Sequence, residues 1–161
     1  MEIEIRKAIV QDYRNLLDLF GEVDALHHDN LPQIFQKPTG SVRDQDYFLG
    51  LIGDENVGLF VAKVEGKLVG FIHAVIRDTP AIPVFVRRRY AVIDNITVSA
   101  RYRRNGIGQM LMHRIDEWAI AKGATAIELN VYEFNRVAIA FYQGLGYETL
   151  SRRMSRFLNG G

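Results

Sequence analysis

The stretch Tyr90-Ala-Val-Ile-Asp-Asn-Ile-Thr-Val-Ser99, leading closely into Arg103-Arg-Asn-Gly106-Ile-Gly108, decides how the chain folds. Its first part is rich in β-branched residues and reads as a strand. From Arg103 to Lys122 the apolar residues Ile107, Met110, Leu111, Ile115, Trp118 and Ala119 recur at helical spacing, and Gly123 closes the run. A strand therefore leads through a glycine-bearing turn into an amphipathic helix. At such a turn the first helical N–H groups have no internal acceptor and sit at the positive end of the helix dipole, and glycine lets a ligand approach the main chain. Arg103 and Arg104 add guanidinium groups, which form forked hydrogen bonds to phosphate oxygens. The result is a ready anion site, although a water-exposed helix start with solvated arginines fits these six residues equally well.

The residues after Gly108 disfavour two common phosphate loops. A mononucleotide loop ends Gly-Lys-Ser/Thr, and here Gly108 precedes Gln109 and Met110. A dinucleotide loop needs a small residue three positions after Gly108, where the chain has Leu111.

Outward from this point, Thr125-Ala-Ile-Glu-Leu-Asn-Val alternates as a strand, Asn135 to Gly144 reads as a helix capped by Asn135, and Tyr147 to Phe157 reads as a final strand. Upstream, Gly58 to Val64 and Lys67 to Ile76 form two strands joined by Glu65-Gly66, a hairpin turn because glycine accepts positive φ. Glu2 to Arg6 alternates as a first strand, and Asp12 stands where it would cap a helix carrying Leu16, Leu17, Phe20 and Val23. His27 to Ser41, with Pro32, Pro38 and Gly40, reads as irregular or a short broken helix, and Tyr47, Phe48, Leu51 and Ile52 as a short helix ending at Gly53. No linker or repeat divides the chain, so the expectation is one α/β domain over residues 1–161 around a mixed sheet.

Composition agrees. The chain has 161 residues, 48% hydrophobic and 24% charged, with a formal net charge of +1, which is ordinary for a globular domain and offers no global basic field for nucleic acid. There is no cysteine, hence no disulfide framework, thiolate metal site or cysteine nucleophile, and a reducing cytoplasm suits it. The N-terminus lacks the apolar core of a signal peptide, and no uncharged apolar run approaches the ~18 residues of a membrane span, so a soluble, cytoplasmic protein is expected.

Arg103-x-x-Gly106-x-Gly108 resembles the acyl-CoA pyrophosphate signature of the GNAT superfamily of N-acetyltransferases, Arg/Gln-x-x-Gly-x-Gly/Ala. Ile93-Asp-Asn-Ile-Thr-Val-Ser and Tyr102 resemble that family's central strand and lead-in. Asn135-x-x-Ala138-x-x-Phe141-Tyr142-x-x-Leu145-Gly146-Tyr147 is similar to its Asn-x-x-Ala-x-x-Phe-Tyr-x-x-x-Gly-Phe segment, with Tyr147 in place of the usual Phe and Gly144 where many relatives carry Lys or Glu. The close match runs from Tyr90 to Tyr147.

The resemblance implies a splayed central sheet with acetyl-CoA held between two parallel strands. It implies a bulge that turns the backbone of Ile96, Thr97 and Val98 toward the pantetheine, and Arg103, Arg104, Asn105, Gly106, Ile107 and Gly108 around the pyrophosphate. It also makes Asn135 a cofactor contact and Tyr142 the general acid that protonates the departing CoA thiolate. The reaction implied is direct attack of a primary amine in a ternary complex, without a covalent intermediate or a metal. A homodimer is plausible by the same analogy.

The attacking amine must lose a proton. Asp94, a carboxylate inside an apolar strand, is the leading base, because burial without a partner would raise its pKa; pairing with Arg88 or Arg89 is the competing reading. Glu128 is a weaker base candidate. For Tyr142 the competing reading is a packing residue beside Phe141, which is expected to be core, and the full pattern favours the catalytic role. His73 reads as a satisfied core histidine, and His113 as solvent-facing. His27, His28, Phe85 and Tyr90 are candidates for contact with a small-molecule or peptide amine. With Glu22 and Asp24, His27 and His28 do not make a clean metal-ligand face. A non-catalytic acyl-CoA-binding module is the alternative function.

Overall fold

The computed structural model describes residues 1–37 and 43–158. Its elements are β1 (Ile3–Lys7), α1 (Tyr13–Asn30), α2 (Gln45–Gly53), β2 (Val57–Val64), β3 (Lys67–Asp78), β4 (Arg89–Val98), α3 (Ile107–Ala121), β5 (Ala126–Leu129) and α4 (Arg136–Gly144), with short 3-10 turns at Val10–Asp12 and Ala100–Tyr102. The chain divides into two compact units, Met1–Asn130 and Val131–Gly161, which are described in turn.

In the first unit a five-stranded sheet has the order β1-β2-β3-β4-β5. The first three pairings are antiparallel, and β4 pairs with β5 in parallel, the direction that α3 makes possible as a crossover. The β2–β3 hairpin turns on Glu65 and Gly66, at φ 51° and 78°, as a two-residue turn with both centres left-handed requires. Both sheet faces are covered, which is why β2 and β3 are nearly continuous apolar runs. On one face Leu59, Val61 and Phe71 join Leu16, Leu19 and Phe20 of α1 and Phe48 of α2, with the Phe20 and Phe71 rings 4.4 Å apart. On the other, α3 lays Trp118 over Gly58, where a Cβ would come within 2.8 Å of the indole, and Arg114 over the Phe60 ring at 4.4 Å. Each fully buried Leu, Ile or Phe here contributes about 1.5–3 kcal/mol.

Four expectations change. Asp12 does not cap α1 with its side chain; its carboxylate takes Arg6 Nη1 and Nη2 at 2.7 and 3.0 Å and the Ile9 N–H at 2.9 Å. Burial is the largest influence on that carboxyl and opposes ionisation, but the Arg6 and Ile9 hydrogen bonds outweigh it and hold the pKa below the usual range. Second, α1 continues through His27 and His28 to Asn30, because Pro32 comes after the C-cap Leu31 and so never interrupts the helix. Leu31 to Lys37 is turn and irregular chain, as expected, and Pro38, Gly40 and Ser41 lie outside the described residues.

The other two concern the second unit. No residue of α4 is fully buried, so Phe141 is half-buried and not core. The expected strand from Tyr147 to Phe157 is absent: Glu148 to Leu158 carry no strand and are exposed throughout, and Arg152 instead lies 3.7 Å from Glu133. A strand forms only where a sheet edge is offered, and none pairs with this segment among the described residues. Gly146, at φ 94°, closes α4: its N–H donates to Gln143 O and the Tyr147 N–H to Tyr142 O, both at 3.0–3.1 Å. That paired motif needs a left-handed residue, which explains the glycine before Tyr147.

Candidate functional site

β4 changes character along its length. From Tyr90 to Ile93 it is paired with β3 on one side and with Ala126 to Leu129 of β5 on the other. The parallel ladder stops at Ile93–Leu129, while pairing with β3 continues to Val98 opposite Gly70. At the point of change the β3 register jumps from His73–Asn95 to Ala74–Ile93, leaving Asp94 as the inserted residue of a bulge. Beyond it every second main-chain N–H and C=O of Asn95 to Val98 points to the side where β5 is no longer paired. Ile96, Thr97 and Val98 are half-buried there, as expected for an unfilled strand position.

The strand runs directly into the turn. Arg103 Nε donates to Val98 O at 3.1 Å, and Asn105 Nδ2 donates to Tyr102 O and Arg103 O at 3.0 and 3.2 Å, so two of the expected ligand-binding side chains also fasten the loop to itself. Arg104 and Gly106 both adopt positive φ, 65° and 78°. A Cβ on Gly106 would meet nothing within 4 Å, so the surface of the turn is open. Ile107 is buried at 1% exposure and anchors the helix in the core, which leaves its main chain for any ligand. In α3 the first amide to find a main-chain acceptor is that of Met110, bonded to Gly106 O at 3.1 Å. The earlier amides therefore face outward at the positive end of the helix. This cradle of N–H groups flanked by exposed Arg103 and Arg104 fits an anionic ligand of diphosphate type.

Asp94 differs from its expected state. Its side chain is 42% exposed, so it is not the buried carboxylate that its apolar strand suggests. The competing partners are occupied elsewhere: Arg88 binds Glu128, and Arg89 binds Asp78 at 3.0 and 3.2 Å. Glu128 is correspondingly committed to Arg88. Asp94 Oδ2 instead lies 3.9 Å from Nδ1 of His73, a residue read from sequence as a satisfied core histidine. His73 is indeed buried, but neither ring nitrogen has a hydrogen-bond partner. Only strand register reveals this neighbour, and an isolated histidine in an apolar run carries no such signal.

In the second unit Asn135 caps α4, its Oδ1 accepting the Ala138 N–H at 3.2 Å, so its amide nitrogen is the group left for a ligand. Tyr142 lies two turns on, its ring 5.5 Å from Phe141 and 5.9 Å from Tyr147. Burial pushes its phenol up to about 12, so it keeps its proton at neutral pH.

The acceptor-side candidates occupy other elements. His27 and His28 are in the last turn of α1, with the His27 ring 5.0 Å from Phe35 and His28 Nδ1 3.4 Å from Asp29. Phe85 is half exposed in the β3–β4 connection, and Tyr90, under the Arg88 guanidinium at 4.4 Å, opens β4 at the end remote from the glycine turn. His113 is solvent-facing, 3.3 Å from Glu117. Among the described residues no group of His, Asp and Glu is arranged to hold a metal, and no helix is long and apolar enough to cross a membrane.

Comparison with known proteins gives this geometry its context. An uncharacterized N-acetyltransferase of Methanocaldococcus jannaschii is 37% identical over 102 residues, 63% of this chain and 44% of that relative, so the match spans less than half the relative's length. A mutant form of a Bacillus halodurans protein superposes with a TM-score of 0.91 at 29% identity, over 96% of this chain and 99% of that one. An aminoglycoside N-acetyltransferase solved with CoA shares the fold, with a TM-score of 0.70 at 17% identity over 98% and 95% of the two chains. The family model described as Acetyltransferase (GNAT) family matches residues 22–147, and the protein therefore belongs to the GNAT acetyltransferase family.

Proposed function

We propose that the protein is an N-acetyltransferase that moves an acetyl group from acetyl-CoA to a primary amine, on a small molecule or a peptide, by direct attack in a ternary complex. The observation that carries this reading is the half-paired end of β4 running into a turn of outward-facing amides. An extended amide-bearing arm fits beside Ile96, Thr97 and Val98 as a substitute strand, and a diphosphate fits the amides and guanidinium groups from Arg103 to Gly108. The solved relative with bound CoA supports the choice of donor.

The chemistry rests on placement. A thioester and a neutral amine held in line react with little further help, and positioning supplies most of the rate. Asp94, exposed on the bulge, removes the proton from the incoming ammonium directly or through a water it holds. The amine nitrogen bonds to the thioester carbon, the tetrahedral adduct gives its surplus nitrogen proton to water as it collapses to the neutral amide, and the C–S bond breaks. Tyr142, held protonated by burial, gives its proton to the departing thiolate.

A thiol-release assay with acetyl-CoA across an amine panel, read beside calorimetric titration with CoA, tests this. Release that depends on amine, with Tyr142→Phe slowing turnover and leaving CoA affinity intact, supports it. CoA binding without amine-dependent release by any amine would make the chain a binding module.

A further inference from the structure

His73 is a problem for the fold unless it has a function. It is 3% exposed, sits in the middle of β3 among fully buried residues, and leaves both ring nitrogens without a partner. Buried polar atoms are nearly always hydrogen-bonded, and an exception calls for a physical reason. The bulge supplies one. In a regular strand Asp94 and Asn95 would point to opposite faces; here Asn95 pairs with His73 in register, yet Asp94 Oδ2 also comes within 3.9 Å of His73 Nδ1. The inserted residue has swung its carboxylate over the imidazole. That separation is beyond hydrogen-bond range, so the contact forms only when the half-exposed carboxylate turns toward the ring.

The charge around the ring fixes its state. Burial is the main influence and lowers the His73 pKa, the Asp94 carboxylate opposes it, and the positive charge of Arg43 adds to the lowering. Arg43, which precedes α2, is itself paired with Asp24 of α1 at 2.8 Å. The imidazole is therefore neutral at neutral pH and carries one N–H, and a carboxylate neighbour selects the tautomer with that hydrogen on Nδ1.

We propose that His73 is a positioning residue for Asp94: its Nδ1–H donates to Asp94 Oδ2 when the amine substrate arrives, and fixes the carboxylate in the orientation that accepts the ammonium proton. This rests on Asp94 being the base. The proton taken from nitrogen ends on Asp94 or its water; His73 keeps its own. The donor also favours the ionised form of the carboxylate, the form that takes the proton.

Three variants separate the possibilities. His73→Leu removes the donor at similar volume, His73→Asn returns an N–H near the Nδ1 position, and Asp94→Asn removes the base. Steady-state kinetics against pH, with melting curves and CoA titration for each, give the expected pattern. His73→Leu lowers kcat by about 10- to 100-fold, the range for losing a hydrogen bond to a charged group, shifts the acid limb of the pH profile upward, and leaves CoA affinity unchanged. His73→Asn recovers most of the rate and the limb. Added to Asp94→Asn, His73→Leu costs nothing more. If Asp94→Asn has no effect, the base assignment fails and the role of His73 fails with it. If Asp94→Asn is crippling while folded His73→Leu keeps its rate and profile, only the positioning role is overturned. Equal losses in His73→Leu and His73→Asn with an unmoved acid limb overturn it too, by making His73 purely structural.

Discussion

The two halves of β4 have similar residue types and opposite circumstances. Tyr90 to Ile93 lies between two strands, with Ala91 and Ile93 at 0% and 4% exposure, and its main chain is used up by the sheet. Asn95 to Val98 has a strand on one side only, every residue is half-buried, and it ends in a turn whose amides face outward. The bulge at Asp94 is the joint between them. A sheet that stays closed is stable and inert; one that parts along a single strand retains the rigidity of its closed half and offers unpaired main chain in the other. Substitutions in the first half should therefore affect folding, and those in the second half should affect turnover.

The largest expected effect is on the joint. Asp94→Asn should lower kcat by about 10²- to 10⁴-fold, the usual contribution of a positioned base, with an unchanged melting temperature; a parallel loss of stability would erase the contrast between the halves. Ile93→Ala, one residue earlier, should do the reverse. Truncating a buried Ile costs about 2–5 kcal/mol, visible as a lower denaturant midpoint, while kcat of the folded fraction stays near the parent value. Gly106→Ala gives a smaller effect. The side chain has room, but left-handed φ costs a non-glycine residue about 1–2 kcal/mol, and the added methyl group stands where the ligand phosphates would lie, so KM for acetyl-CoA should rise while kcat holds.

The smallest effect is on the pH dependence of stability. His73 and Asp12, both in the first unit, have lowered folded pKa values, so each loses stability as pH falls. For His73 the loss begins below about 6.5, its unfolded value, because the unfolded chain takes up the proton first. For Asp12 the stabilisation is present above about 3.9 and disappears as pH falls through its lower folded value. Melting temperatures measured against pH should show two acid-side declines, the first absent in His73→Asn and the second flattened in Asp12→Asn.

Much of this was legible in the sequence because it is local. The two-residue turn at Glu65-Gly66, the amphipathic stripe of α3 and the glycines before it each come from spacing and from what only glycine tolerates. The cap at Asn135 is of the same kind, its side chain accepting from the Ala138 N–H. What escaped reading depends on register or on partners. The His73–Asp94 approach needs the pairing of β3 with β4. Asp12 looks like a cap until Arg6, one strand earlier, is seen to bind it. The tail from Tyr147 to Phe157 reads as a strand, yet joins no sheet among the described residues. Sequence alternation describes a surface, and only a neighbouring edge turns it into a ladder.

The most direct test of the account is residue-resolved amide hydrogen exchange with and without acetyl-CoA. Asn95 to Val98 and Arg104 to Gly108 should gain protection on binding, while Tyr90 to Ile93, already held on both sides, should not change. Protection that falls elsewhere, or none along the second half of β4 and the turn at saturating acetyl-CoA, would contradict it.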